Sequence, residues 1–209
     1  MRNKITWSDI TLRTFNEMQS VLNDDDFTDE EKVAKLCVLV YGDFPLGELG
    51  EKSTELVTLL KSDLNPSKSL PNEITINDRK YSVTKDISRL TTSQFMDYQE
   101  YCKDADNVDK MLSVFLIPDG HKYNDGYNVT QVMEDMNDVP ITIVRGYVNF
   151  FHGLLKKSIL HFQTYLIVLI LMKKEMSWKQ KKSLIQEVKT YCQSMDSLIS
   201  FMGLLKKQV

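Results

Sequence analysis

Apolar residues recur at helical spacing along most of the chain, and polar residues with capping ability stand where those runs begin. Thr6 with Asp9 opens a helix to about Leu22, with Ile10, Phe15, Met18 and Leu22 on one side. Thr28 with Glu31 forms a capping box for a second helix, whose stripe is Val33, Leu36, Cys37 and Val40 and whose stop is Gly42. The chain bends at Pro45 and Gly47 and resumes as a short helix through Leu56, Leu59 and Leu60, ended by Pro66. The period then changes from helical to two. Ile74 and Ile76, then Tyr81 and Val83, alternate around Asn77-Asp78 and predict a small β-hairpin at 73–84. Two strands alone are marginal, so the hairpin is expected to lie on a helical layer.

Thr91 and Gln94 form another capping box, for a helix that turns Phe95, Tyr98 and Cys102 inward. Met111, Leu112, Phe115 and Leu116 mark a further helix that Pro118 ends. Asn128 and Gln131 read as a cap and its partner, and Asp138 ahead of Pro140 launches a long helix with Pro in its first turn. Val144, Tyr147, Phe151, Leu154, Phe162, Tyr165 and Leu169 mark its buried side. Ser177 and Gln180 cap a last helix carrying Leu184, Val188, Tyr191, Met195, Leu198 and Met202, antiparallel to the one before. The expected fold is mainly α (α+β): a helical bundle with one small β-hairpin around 73–84 and a long C-terminal helical hairpin. Its expected division is a helical domain over 1–139 and the helical hairpin over 140–209 packed on it, or a single domain containing both.

A chain of 209 residues, 42% apolar and 26% charged, has ordinary globular composition. Its net charge of −3 gives no general attraction to nucleic acid or an anionic membrane. The charge is unevenly placed, with Asp24, Asp25, Asp26, Asp29, Glu30 and Glu31 early and Lys173, Lys174, Lys179, Lys181, Lys182, Lys189, Lys206 and Lys207 late. Solvated helical faces that attract each other or a neighbouring subunit account for this. Cys37, Cys102 and Cys192 are odd in number and widely spaced, which fits a reducing compartment better than a disulfide framework or a zinc site. The N-terminal residues lack the apolar core of a signal peptide. The uninterrupted apolar run Tyr165 to Met172 is well short of a bilayer span, so a buried helix is expected and a membrane partner is not.

Candidate chemistry is sparse. His121, His152 and His161 belong to no metal or triad motif, and no phosphate-binding glycine loop is present. The cluster "NDDDFTDEE" lacks the glycine and the final bidentate Glu of a calcium loop and is explained by acids at a helix N-terminus. Lysine and aromatics interleave only briefly, at "WKQKK", so a nucleic-acid partner is not expected. No cofactor, metal ion or catalytic residue is expected. Ten methionines and the apolar last hairpin suit an adaptable surface that holds other proteins. In "PDGHKYNDGY" the glycines supply positive φ for two consecutive tight turns. Tyr123 and Tyr127 are expected to pin this corner to the core and His121 to stand exposed.

"KYSVTKDISRLTTSQFMDYQEY", "VFLIPDGHKYNDGYNVTQVM" and "VRGYVNFF", with the earlier "EEKVAKLCVLVYGD" and "PLGEL", carry a resemblance. They resemble small virion-morphogenesis proteins of tailed bacteriophages, notably of phages infecting Bacteroides-like bacteria, over residues 5–155. That resemblance implies a non-enzymatic tail assembly chaperone-like protein that holds an apolar helical partner. The alternative is a minor structural component of the particle, associated with capsid, neck or tail, or packaged. Expected partners are other phage structural proteins, or a second copy of the chain, in the host cytoplasm or, for a structural component, the virion. Candidate partner-binding residues are His121, Tyr123, Tyr127, Phe150, Phe151 and Trp178. A host-directed enzyme is a weaker third option and rests on His121.

Overall fold

The computed structural model describes residues 4–86, 90–104, 107–172 and 176–202, with many side chains of the last two helices beyond Phe151 left aside. The fold is mainly helical with one small antiparallel sheet. Three helices come first: α1 (Leu12–Asn23), α2 (Asp29–Tyr41) and α3 (Leu49–Lys61). Strands β1 (Glu73–Ile76) and β2 (Arg79–Val83) follow, then α4 (Thr92–Tyr101), α5 (Val108–Phe115) and strand β3 (Leu116–Pro118). Helix α6 (Val129–Met136) leads into the long α7 (Ile141–Met172), and α8 (Trp178–Met202) packs back against it as the expected hairpin.

The capping boxes at Thr28, Thr91 and Ser177 form as expected, and Gly42 closes α2 at φ 68°. Gln94 does more than cap. It is buried, and its side-chain amide donates to the Val114 carbonyl at 2.9 Å, so the box of α4 also fixes α5.

Several boundaries differ from expectation, each for a tertiary reason. The Thr6–Asp9 pair closes only a 3-10 turn (Trp7–Asp9), and α1 starts at Leu12 with Thr11 as its cap. The intervening residues are extended because they pair with the chain ahead of α7. Leu12 N donates to Val139 O at 2.9 Å, and Ile141 N donates to Ile10 O at 2.8 Å. Pro140 accordingly stands before α7, where its carbonyl accepts the Ile143 and Val144 amides, and not within the first turn. Helix α3 stops at Lys61, well before Pro66. There Ser62 turns extended, donates to Leu59 O at 2.6 Å and receives the Trp7 indole at 3.1 Å. Helix α5 ends at Phe115, and Leu116 to Pro118 form a strand that the sequence pattern had assigned to the helix. Proline disfavours helical backbone in the residue before it, and the open edge of β2 takes the extended segment.

The sheet order is β1-β2-β3, all antiparallel, with Ile74 opposite Tyr81 and Val83 opposite Leu116. Asn77 and Asp78, at φ 49° and 59°, make the two-residue turn that matches the twist of the strands. One hydrophobic cluster runs from Trp7 to Phe151 and includes Val139, Ile141, Val144 and Tyr147 on either side of residue 140. Within it the Phe115 ring stacks on Phe151, centroids 3.6 Å apart, with Tyr98 edge-on to Phe115 and Tyr147 nearly parallel to Phe151 at 5.9 Å. Segment 62–72 crosses α7 closely at Gly146, where an added Cβ would lie 2.5 Å from a Leu70 methyl. Tyr147 fixes that crossing by donating to Pro71 O at 2.8 Å. The positions Leu154, Phe162, Tyr165, Leu169, Tyr191, Met195, Leu198 and Met202 lie outside the described side chains.

Phe151→Ala removes the ring on which the aromatic stack is built. It should lower unfolding free energy by about 3–5 kcal/mol, read as a shifted midpoint in chemical denaturation.

Candidate functional site

The corner between β3 and α6 holds three of the expected contact residues. His121 N donates to Pro118 O at 3.1 Å and Asp125 N to Lys122 O at 3.0 Å, which closes the two turns. Gly120, Asn124 and Gly126 supply the positive φ, at 79°, 58° and 74°. Asn124 joins the two glycines because asparagine tolerates the left-handed region. Tyr123 donates to Asp97 Oδ2 at 2.7 Å and so ties the corner to α4. Burial, and then the Asp97 carboxylate, push the Tyr123 hydroxyl well above its ordinary value, so it stays a donor. Tyr127 Oη accepts the Asn124 amide at 3.3 Å, which braces the corner from within.

His121 is exposed and packs edge-on against Tyr127, ring centroids 5.7 Å apart. Its Nδ1 lies 3.0 Å from the Asp125 carbonyl. A carbonyl orients the ring but does not activate it as a carboxylate does in a general base. Asp119 turns elsewhere, accepting from the Ser82 hydroxyl at 3.4 Å. The corner is a braced surface feature. His152 and His161 lie outside the described side chains.

The most strongly built polar cluster is one the sequence did not announce. Asp135 on α6 is 1% exposed, and four side chains donate to it. Tyr81 and Arg79 of β2 donate to Oδ2, the latter at 2.6 Å. Asn77 of the hairpin turn and Gln131 of α6 donate to Oδ1, each at 3.2 Å. Burial pulls the carboxyl upward, but the bonds from Tyr81, Asn77, Arg79 and Gln131 together hold it below the ordinary carboxylate value. Asn77 also donates to Asp138 at 2.9 Å, while Arg13 of α1 pairs with Glu134 at 2.7 Å and Asp138 at 3.3 Å. The cluster thus joins the hairpin, α6 and α1. Each Asp135 oxygen has two donors, which leaves no acceptor site for a substrate or cation. Among the described residues no three His, Cys, Asp or Glu side chains are placed to share a metal ion. The available signal in the sequence was an acid inside an apolar stripe, Val132, Asp135 and Met136.

The remaining expected contact residues separate. Phe151 is 2% exposed and belongs to the core stack, not to a free surface. Phe150 beside it is partly buried and packs against that core. Trp178, by contrast, is 70% exposed at the start of α8. Val168, Leu171 and Met172 at the end of α7 and Leu184 in the first turns of α8 are also exposed, so the turn end of the α7–α8 hairpin carries several uncovered apolar side chains. Among the described residues no helix is long and apolar enough to cross a membrane.

No protein-family model matches the chain, and no curated protein or solved structure matches it.

Asp135→Ala should cost about 3 kcal/mol, because it strands the buried Tyr81 hydroxyl without an acceptor. A depressed folded-state pKa contributes stability that is fully present above the unfolded value of about 3.9 and is lost as pH falls through the folded value. Asp135→Asn lacks that contribution. Denaturation between pH 7 and pH 2 should therefore show the gap between wild type and Asp135→Asn narrowing below about pH 4.

Proposed function

We infer that the protein acts without catalysis in virion assembly of a tailed bacteriophage, as a chaperone-like binder of an apolar helical partner. The observation that carries this is the uncovered apolar end of the α7–α8 hairpin, with Met172 and Trp178 each 70% exposed. Large apolar side chains grouped on a surface mark sites where another molecule is held. The resemblance of the "PDGHKYNDGY" corner and its flanking segments to phage morphogenesis proteins supports the same direction. The corner contributes shape through its tyrosines, and the hairpin end contributes affinity. The site of action under this reading is the host cytoplasm, where the partner is made.

Mass spectrometry of purified particles tests it. An assembly chaperone should be missing from mature particles yet recovered with another phage protein from infected cells. Presence in particles at fixed stoichiometry would make the chain a structural component instead. His121→Ala should leave phage yield unchanged; a loss of yield with normal folding would revive a catalytic role for the corner.

A further inference from the structure

The last part of α7 is apolar around more of its circumference than one neighbour can cover. At 100° per residue, Ile167, Val168, Ile170, Leu171 and Met172 span an arc of about 200°. A helix packed on a single partner typically presents an apolar stripe of about 100°. Ile167 and Ile170 are half-buried, while Val168 and Leu171 remain 45% exposed and Met172 70%. On α8, Trp178 is open in the same region. Among the described residues, nothing covers that open part of the hairpin end.

Charge narrows what would cover it. Over its first nine residues α8 carries Lys179, Lys181 and Lys182; the next residue, Glu187, accepts from the Ser183 hydroxyl at 3.4 Å. Lys181 is occupied, donating to the Leu171 carbonyl at the end of α7 at 2.9 Å. Lys179 and Lys182 are exposed and form no ion pair with any described residue. The open residues Val168, Leu171 and Met172 follow the i, i+3, i+4 spacing that helices use when ridges of one pack into grooves of another. A second copy meeting the same end in two-fold fashion would set lysines against lysines. An anionic lipid surface is held by larger basic clusters than the two free lysines described at this end, Lys179 and Lys182.

We propose that the open face of the hairpin end binds an amphipathic helix of a partner protein whose apolar stripe is flanked by Asp and Glu. The partner completes a three-helix packing, with its acids on Lys179 and Lys182. This rests on the helix-binding function inferred above and specifies the chemistry of the bound segment.

The test uses the full chain and three synthetic helical peptides: a leucine stripe flanked by Glu, the same stripe flanked by Lys, and a Glu-rich helix with no stripe. Trp7 is 6% exposed and already sits in an apolar site, so a blue shift of tryptophan emission on titration reports Trp178. The Glu-flanked peptide should bind with a blue shift, and the other two should not. Lys179→Glu with Lys182→Glu should weaken that binding by about tenfold or more, with circular dichroism and thermal midpoint unchanged. Lys179→Ala with Lys182→Ala should weaken it less, and Trp178→Phe should remove the signal while calorimetry still detects binding. Equal binding of the Glu- and Lys-flanked peptides would overturn the charge assignment and leave helix binding standing. Binding of no peptide would overturn both. A blue shift on phosphatidylserine vesicles without peptide binding, or self-association abolished by Trp178→Ala, would assign the face to lipid or to a second copy.

Discussion

A buried carboxylate is tolerable only when every lone pair it withdraws from water finds a donor, and much of this fold is arranged around meeting that demand at Asp135. Its four donors come from a hairpin turn, a strand and its own helix. For Asn77 to reach it, the turn must hold the left-handed conformation of the two-residue loop. For Tyr81 and Arg79 to reach it together, β2 must keep its register, since a shift of one residue would send both to the other face. Arg13 then extends the cluster to α1 through Glu134 and Asp138. One side chain therefore couples the sheet, α6 and the first helix.

The apolar counterpart is the stack of Tyr98, Phe115, Phe151 and Tyr147. It brings α4, α5 and the first turns of α7 together, and the pairing of Ile10 and Leu12 with residues 139–141 closes the N-terminus onto the same helix. Helix α7 thereby has two unlike parts. Up to Phe151 it is core. Toward Met172 its described side chains are half-buried or exposed, none of them buried, and its main neighbour among the described elements is α8.

That division shapes the functional picture. The corner at 118–128 spends its polar groups on itself, on β2 and on Asp97. Among the described residues of the hairpin end, Met172 and Trp178 each stay 70% exposed. Binding energy is drawn from surface still open to water, so the hairpin end has more to offer a partner than the braced corner does.

Elements with local causes were legible from sequence: the capping boxes at Thr28, Thr91 and Ser177, the stop at Gly42, the turn at Asn77-Asp78, and the mainly helical class with its hairpin at 73–84. Each depends on residues within a few positions of one another, so the chain carries the information in a short window. The third strand, the start of α1 at Leu12, the end of α3 at Ser62 and the donors of Asp135 were not legible. All four depend on partners far away in the chain, and a contact such as Arg79 with Asp135 leaves no periodic trace at either end. Sequence alone determined where helices could form and how their ends were sealed. Tertiary packing decided where they stopped, which aromatics became core, and which apolar side chains were left facing water, because burial is a property of the assembled surfaces and not of any residue taken singly.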